Sequence, residues 1–435
     1  MSLAMSPVET AFRRAADEHQ RCFWLDGGGA RDWSGSRSLI GILEPDDVSL
    51  TYSAATGEVT RHADGDAVVV GSDVFTVLEE ELAAGSHRDQ WFGYFGYACR
   101  PDLPALVGAG GVPDAVWMRP SHVRLFEHEL PSRISRLPHE PSWGKREFHR
   151  AAGESPPSDY AKAFAQVQEQ LHAGNSYEVN LTYRVDAESE LDPVAAYLRL
   201  RELNPAPSAG FLQHDLGPAV GGARGWLLSS SPERYALVTR DPDTGDRTIE
   251  TKPIKGTTPR GATPEEDEEL RRALATEPRF RAENLMITDL LRNDLAMVCE
   301  VGSVEVPALL AVESYPTVHQ LVSTVRGRLR DDVTTVAAMR ALFPAGSMTG
   351  APKLRTMEVI TQVEASPRGA YAGAFGWLAA DGRADLGVII RTLTTTGGGR
   401  YRMGTGGGIT VHSDVESEYA ESLLKAERLR RALSP

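Results

Sequence analysis

Strand-like runs and helical stretches follow one another along this chain without the regular strand, helix, strand alternation that a parallel sheet needs, and this irregularity constrains the fold more than any other feature. It excludes a doubly wound sheet and a closed parallel barrel, leaving an α/β chain of mixed type. At 435 residues there is enough chain for two domains or for one large composite fold. Residues 1–150 read as a first lobe. Within it, Ser38 to Leu43 and Ala67 to Val70 are apolar runs bounded by Gly, Asp and Pro, as strands are, and Trp91 to Tyr97 alternates aromatics with glycines as a core strand does. The piece from Leu137 to Ser158 is rich in turn residues and marks the boundary.

Residues 151–435 form the second region. Phe164, Val167 and Leu171 recur at helical spacing before Gly174, Tyr177 to Tyr183 alternates as a strand, and Pro193 to Leu203 is again helical. Thr263-Pro264-Glu265-Glu266 is a helix start, with a capping hydroxyl, a proline at the first position and acids in the first turn. The following helix carries Glu283, Ile287, Leu290 and Asp294 on one face, so carboxylates lie among core residues and need partners. A last helix opens with Ser413 and Glu416 at capping-box spacing and places Glu418, Glu421 and Lys425 on one face. That face is either an ordinary surface ion pair or a pair of acids offering oxygen to a hard cation.

One octapeptide stands apart, Glu250-Thr251-Lys252-Pro253-Ile254-Lys255-Gly256-Thr257. Proline fixes φ two residues before Lys255, and Gly256 after it allows another backbone close. A lysine so held is either a solvated turn residue or, where its setting lowers its pKa, an amine nucleophile. Three glycine-rich segments, Gly346 to Lys353, Pro367 to Gly373 and Gly404 to Ile409, can present backbone N–H groups to an anion, although none has the spacing of a P-loop or a dinucleotide fingerprint. Arg391 ends the apolar run from Asp385 and is either an edge-strand charge or a carboxylate fork.

Composition narrows the ligands. A formal charge of −14 excludes the basic footprint of a nucleic-acid binder, so an anionic small molecule has to be captured by local cations or a metal inside a cleft. Three cysteines, Cys22, Cys99 and Cys299, are too few for a disulfide framework. Met1 to Pro7 lack the pattern of a secretory signal, and no apolar run is long enough to cross a bilayer, so a soluble cytoplasmic protein is expected, with neither nucleic acid nor membrane as partner.

Taken in order, Tyr177 to Thr182, Ser231-Pro232-Glu233-Arg234, Pro253 to Thr257, Glu283 to Met286, Leu291 to Asp294, Leu321 to Val325, Gly350 to Lys353, Ile390 to Thr392 and Gly406 to Ile409 resemble the chorismate-utilising enzyme family, densely over residues 155–430. The resemblance implies a large α/β unit of the α+β type, built of antiparallel sheets with flanking helices and the site between the sheets; the first lobe resembles the N-terminal region of anthranilate synthase component I. It implies Mg²⁺, held through Glu283 and Glu421 with Glu418 in the outer shell. It places Gly256 and Thr257 beside the ring carboxylate of chorismate, assigns the enolpyruvyl carboxylate to Arg391, Tyr371 and the backbone near Gly406 and Gly407, and adds Thr349 and Lys425 to the substrate-binding set. Glu233 matches the acid that helps the C4 hydroxyl leave, a role needing a raised pKa.

Glu178 stands where water-adding relatives carry a lysine base, and Lys255 stands where anthranilate-forming ones carry a small residue. A lysine there marks the aminodeoxychorismate branch, which implies attack of Lys255 on C2, displacement by ammonia at C4 and 4-amino-4-deoxychorismate as product. Anthranilate-type or isochorismate-type chemistry is the alternative. None of the three cysteines sits in a glycine-flanked turn, so ammonia is expected from a separate glutaminase subunit. Phe280, Gln320, His412 and Val415 depart from the family pattern, Phe280 where relatives often carry an acid.

Overall fold

In the strand Arg21–Asp26, Phe23 and Trp24 point to opposite faces, and so do Trp91 and Phe92 in Gln90–Phe95. Both members of each pair are fully buried, so each strand is covered on both sides. The computed structural model, which describes residues 6–27, 37–108, 110–128, 154–217, 223–315 and 318–434, shows what covers them. Two antiparallel sheets lie face to face, with helices on their outer faces. Phe23 and Phe92 meet between the sheets, ring centroids 3.8 Å apart and nearly parallel, joined by Tyr94, Met118, Leu212 and Phe375. Trp24 faces outward onto Phe12 and Tyr197 of flanking helices.

Among the described residues, the first sheet has nine strands in the order Gly350–Ala351, Glu178–Glu188, Arg400–Ile409, Thr392–Thr395, Arg224–Ser231, Ser208–Asp215, Arg21–Asp26, Arg37–Ile42, His122–Glu127. The second has twelve. From Ile254–Pro259 it runs through Val318–Arg328, Arg247–Lys252, Arg234–Arg240, Ala384–Val388, Ala374–Ala379, Gln90–Phe95 and Ala115–Arg119 to Val48–Ser53, Glu58–Ala63 and Asp66–Gly71, with Glu305–Ser314 also on Val318–Arg328. Both sheets draw strands from either side of the division expected near residue 150. The expected boundary stretch from Leu137 lies outside the described residues as far as residue 153, as do Met1 to Met5.

Helix ends follow local chemistry. Asp192 accepts from the Ala195 N–H at the start of Pro193–Leu203, and Thr263 accepts from the Glu266 N–H at the start of Pro264–Thr276. The last helix, Val415–Ala432, differs from expectation: its cap is Asp414, which accepts from the Ser417 N–H at 3.0 Å. Ser413 does not cap this helix; its hydroxyl donates to Glu418 at 2.7 Å. No helix among the described residues is long and apolar enough to cross a membrane.

Candidate active site

Two connections pass from one sheet to the other and carry polar residues into the space between them. Pro232 and Glu233 link Arg224–Ser231 of the first sheet to Arg234–Arg240 of the second. Ile389 to Arg391 link Ala384–Val388 of the second sheet to Thr392–Thr395 of the first. Arg391 has φ 50°, a left-handed conformation that costs an L-residue about 1–2 kcal/mol. Such strain persists where the surroundings over-determine a residue, commonly at functional sites.

Lys255 reaches the same space by a different device. Ile254 pairs with Val322 and Thr257 with Gln320, so one extra residue is inserted at Lys255-Gly256 and the strand bulges. Gly256 has φ +91°, and a Cβ there would lie 2.8 Å from the ring of Phe280. Phe280 therefore packs over the bulge. The bulge aims Lys255 at Glu178, the first residue of Glu178–Glu188 in the opposite sheet, and Nζ donates to its Oε1. The pair joins the two sheets through their interior, with Glu178 fully buried and Lys255 nearly so. A Cβ at Gly408 would lie 2.1 Å from Glu178 Oε1 and 3.1 Å from Lys255 Nζ, so only glycine leaves room for the pair.

Burial disfavours the Lys255 ammonium, but Glu178, Glu283 and Glu233 outweigh it and raise its pKa. Burial pushes the Glu178 carboxyl up against the opposing pull of Lys255. Glu233 is also buried and is pushed up to about 7, while a 2.6 Å hydrogen bond from the Ser347 hydroxyl and the nearby charges of Lys255 and Arg391 pull the other way. A carboxyl near 7 shares neutral pH between its protonated and ionised forms and can both donate and take a proton there. Burial lowers Arg391 to about 10, with Arg428 adding to the effect and Glu233 opposing it.

The carboxylates proposed for a metal come from two helices. Glu283 projects from Pro278–Ala296 and Glu418 from Val415–Ala432, and Arg279 binds both, through Nε to Glu283 at 2.9 Å and through Nη2 to Glu418. Glu421 is half exposed and pairs with Lys425 at 2.9 Å, which lowers its pKa. Among the described residues no three acidic, His or Cys side chains converge closely enough to enclose a cation by themselves. Two carboxylates completed by water and substrate oxygens are nevertheless the donor set Mg²⁺ takes, and these hard oxygen groups fit it.

Lys425 also donates to the Gly406 carbonyl at 3.1 Å, and positions above Gly407 are flanked by Glu418 Oε2 and Lys425 Nζ. Tyr371 lies against Gly404 of the same strand, with the Arg184 guanidinium 4.7 Å over its ring. Glu178, Lys255, Gly406, Gly407, Gly408, Glu418 and Lys425 thus form one continuous lining, connected through Arg279 to Glu283. Two more of the expected residues have other surroundings. Thr257 is exposed on the sheet edge, and the buried Thr349 hydroxyl donates to the carbonyls of Ala345 and Gly346 at 3.3 and 3.2 Å. Asp294 finds its partner in Lys353 at 2.7 Å, a structural pair away from this lining.

Sequence reasoning missed three participants. Glu178 carries a local signal only through the lysine it replaces, and nothing beside Ser347 in the sequence points to Glu233. Arg279, four residues before Glu283, is at ion-pair spacing on a helix, a signal that could have been read.

The chain compares with known proteins over nearly its whole length. It is 38% identical to an aminodeoxychorismate synthase of Streptomyces griseus, covering 98% of this chain and 62% of the relative. It is 42% identical to aminodeoxychorismate synthase component 1 of Escherichia coli (strain K12), covering 63% of this chain and 57% of the relative. The chain spans about 62% of the length of the Streptomyces griseus relative and 63% of one from Streptomyces pristinaespiralis. Its fold matches the solved structure of anthranilate synthase component I from Streptococcus pneumoniae TIGR4 with a TM-score of 0.71, at 25% identity, over 91% of this chain and 92% of that one. A family model described as chorismate binding enzyme matches residues 20–431, and with glycines, carboxylates and a buried lysine meeting between its sheets this chain belongs to the chorismate binding enzymes.

Proposed function

We propose that this chain converts chorismate and ammonia to 4-amino-4-deoxychorismate. The observation that carries the reading is Lys255: a buried amine at a bulge between the sheets, in a chain whose relatives named above include aminodeoxychorismate synthases. The Lys255 amine attacks C2 of the ring as the C4 hydroxyl departs, and Glu233 in its protonated form gives that hydroxyl a proton. Ammonia then attacks C4 and expels the lysine. Arg391, Tyr371 and the backbone of Gly406 and Gly407 receive the enolpyruvyl carboxylate, and Gly256 and Lys425 border the ring. Glu283 and Glu421, with Glu418 in the outer shell, would hold Mg²⁺, which would supply charge neutralisation and Lewis-acid polarisation of the ring carboxylate.

Ammonia comes from a separate glutaminase subunit. Cys22, Cys99 and Cys299 are all buried free thiols, and burial pushes Cys22 up to about 12 and Cys299 up to about 11, the opposite of an activated nucleophile. The test is a product assay with chorismate, Mg²⁺ and either an ammonium salt or glutamine. The ammonium salt should give a product whose mass and ultraviolet spectrum are those of 4-amino-4-deoxychorismate, and glutamine should give none without the second subunit. Anthranilate or isochorismate as the product, or unchanged turnover in Lys255→Ala, would sink the reading.

A further inference from the structure

We propose that Glu178 is a catalytic base in this reaction: it takes the proton of the Lys255 ammonium, holds it while the lysine is bonded to the substrate, and returns it when the lysine is released. The inference rests on the reading of Lys255 as nucleophile.

An ammonium cannot attack carbon, because its nitrogen lone pair is engaged. Lys255 is held in that form by its hydrogen bond to the Glu178 carboxylate. Glu178 faces it from the first sheet, Glu283 from the helix Pro278–Ala296, Glu233 from the crossing connection and Glu421 from the last helix, while Arg279 offsets part of this charge at Glu178. Nearly buried as it is, the amine has little water to take its proton. Among the described residues, the hydrogen-bond partner of Nζ is Glu178 Oε1.

Glu178 is built for the exchange. Its backbone is clamped in the sheet opposite Ala351, and Val179 beside it lies in the apolar cluster with Val167 and Ile409. Its second oxygen, Oε2, is buried and, among the described residues, has no hydrogen-bond partner, so within them the carboxylate is stabilised by the amine and by Arg279's field. Moving the proton from nitrogen to oxygen turns two buried charges into two neutral groups, which burial favours.

The protons balance over a cycle. Lys255–NH₃⁺ passes one proton to Glu178, leaving a neutral amine and a carboxylic acid. The nitrogen lone pair forms the bond to C2, the two ring double bonds shift, the C4–O bond breaks, and the departing hydroxide takes the proton of Glu233 and leaves as water. The nitrogen is then a secondary ammonium. Ammonia forms a bond to C4, the double bonds shift back, and the C2–N bond breaks with its electrons returning to Lys255 as a neutral amine. The new C4 ammonium gives a proton to Glu233, and Glu178 gives its proton back to Lys255. Chorismate and ammonia become product and water, and both carboxyls are restored.

The test is single-turnover formation of the Lys255 adduct, read by intact-protein mass after mixing chorismate and Mg²⁺ without ammonia, from pH 6 to 9.5, in the wild type and Glu178→Gln. Wild-type adduct formation should fall only as Glu233 ionises, through about pH 7. In Glu178→Gln it should be about 100-fold slower or more at pH 7, and its ratio to the wild-type rate at each pH, in which the Glu233 ionisation cancels, should rise about tenfold per pH unit as solvent base replaces the carboxylate. Glu178→Asp should restore most of the wild-type profile. A merely structural ion pair would change the rate but leave the pH profile in place. Should the glutamine variant not fold, infrared difference spectra of the wild type decide: as the adduct forms a carboxylic-acid band must grow while the Glu233 acid band is lost, and only the growing band must be shifted in Glu178→Asp. Wild-type rate and profile in Glu178→Gln, or no growing band, would overturn the proposal alone. Absence of any wild-type adduct would overturn the lysine reading and this proposal with it.

Discussion

The two sheets face each other across two stretches of opposite character. Toward the Arg21–Asp26 and Gln90–Phe95 strands the space is filled by Phe23 stacked on Phe92, with Tyr94, Met118, Leu212 and Phe375 around them. Toward the Glu178–Glu188 and Ile254–Pro259 strands it holds Lys255 against Glu178, and near them Glu233 against Ser347. The apolar stretch returns free energy, about 1.5–3 kcal/mol for each large side chain buried. The ionic one does not, because desolvating two charges costs about as much as their attraction gives back. The difference teaches where the fold takes its stability from and where that stability is given up to chemistry.

The contrast can be broken first at the ion pair. Replacing Lys255 by Met and Glu178 by Leu together should lower turnover by on the order of 1,000-fold or more, while stability to urea stays level or rises by about 1–4 kcal/mol. Each single replacement should instead cost about 3–5 kcal/mol, because it strands a buried charge. If the double variant is as unstable as either single one, the pair is a structural clamp and the contrast fails.

Phe92→Ala probes the other stretch. It should cost about 3–5 kcal/mol in urea unfolding, through the lost contact with Phe23 and the cavity left behind, and should leave the mechanism of the folded fraction unchanged, with the same product.

Glu233→Gln sharpens the comparison with a smaller effect. The folded carboxyl, near 7, lies above its unfolded value of 4.5, so its contribution to stability is complete below pH 4.5 and is lost as pH rises through about 7. Above that, burying the ionised form costs on the order of 3 kcal/mol. Melting temperatures measured from pH 5.5 to 8.5 should fall for the wild type relative to Glu233→Gln, and the alkaline fall in kcat/KM should be absent from whatever activity the variant keeps. Parallel melting curves for the two proteins would show that Glu233 is not held in a costly environment.

Legibility in the sequence tracked the range of the forces involved. The helix starts at Asp192-Pro193 and Thr263-Pro264 could be read because a cap and its N–H are three residues apart. The last helix was displaced by one position, since Ser413 and Asp414 are both competent caps and Glu418 drew the serine away. Lys255, Glu233 and Glu283 were legible as candidates through their neighbours in sequence. The partners of the first two were not: Glu178 lies 77 residues from Lys255, and Ser347 lies 114 from Glu233.

By itself, then, the sequence determined the chemistry that could be present: a lysine between a fixed proline and a permissive glycine, carboxylates on helix faces, glycine-rich strands and thiols too few for a framework. Which groups meet was decided only by the tertiary structure. A β-bulge turned Lys255 inward, two crossings between sheets delivered Glu233 and Arg391, and a missing Cβ at Gly408 left room for the ion pair. The physical reason is that side-chain identity and local hydrogen bonding are encoded within a few residues, whereas burial, and with it the protonation state of a lysine or a carboxyl, depends on strands paired across the whole chain.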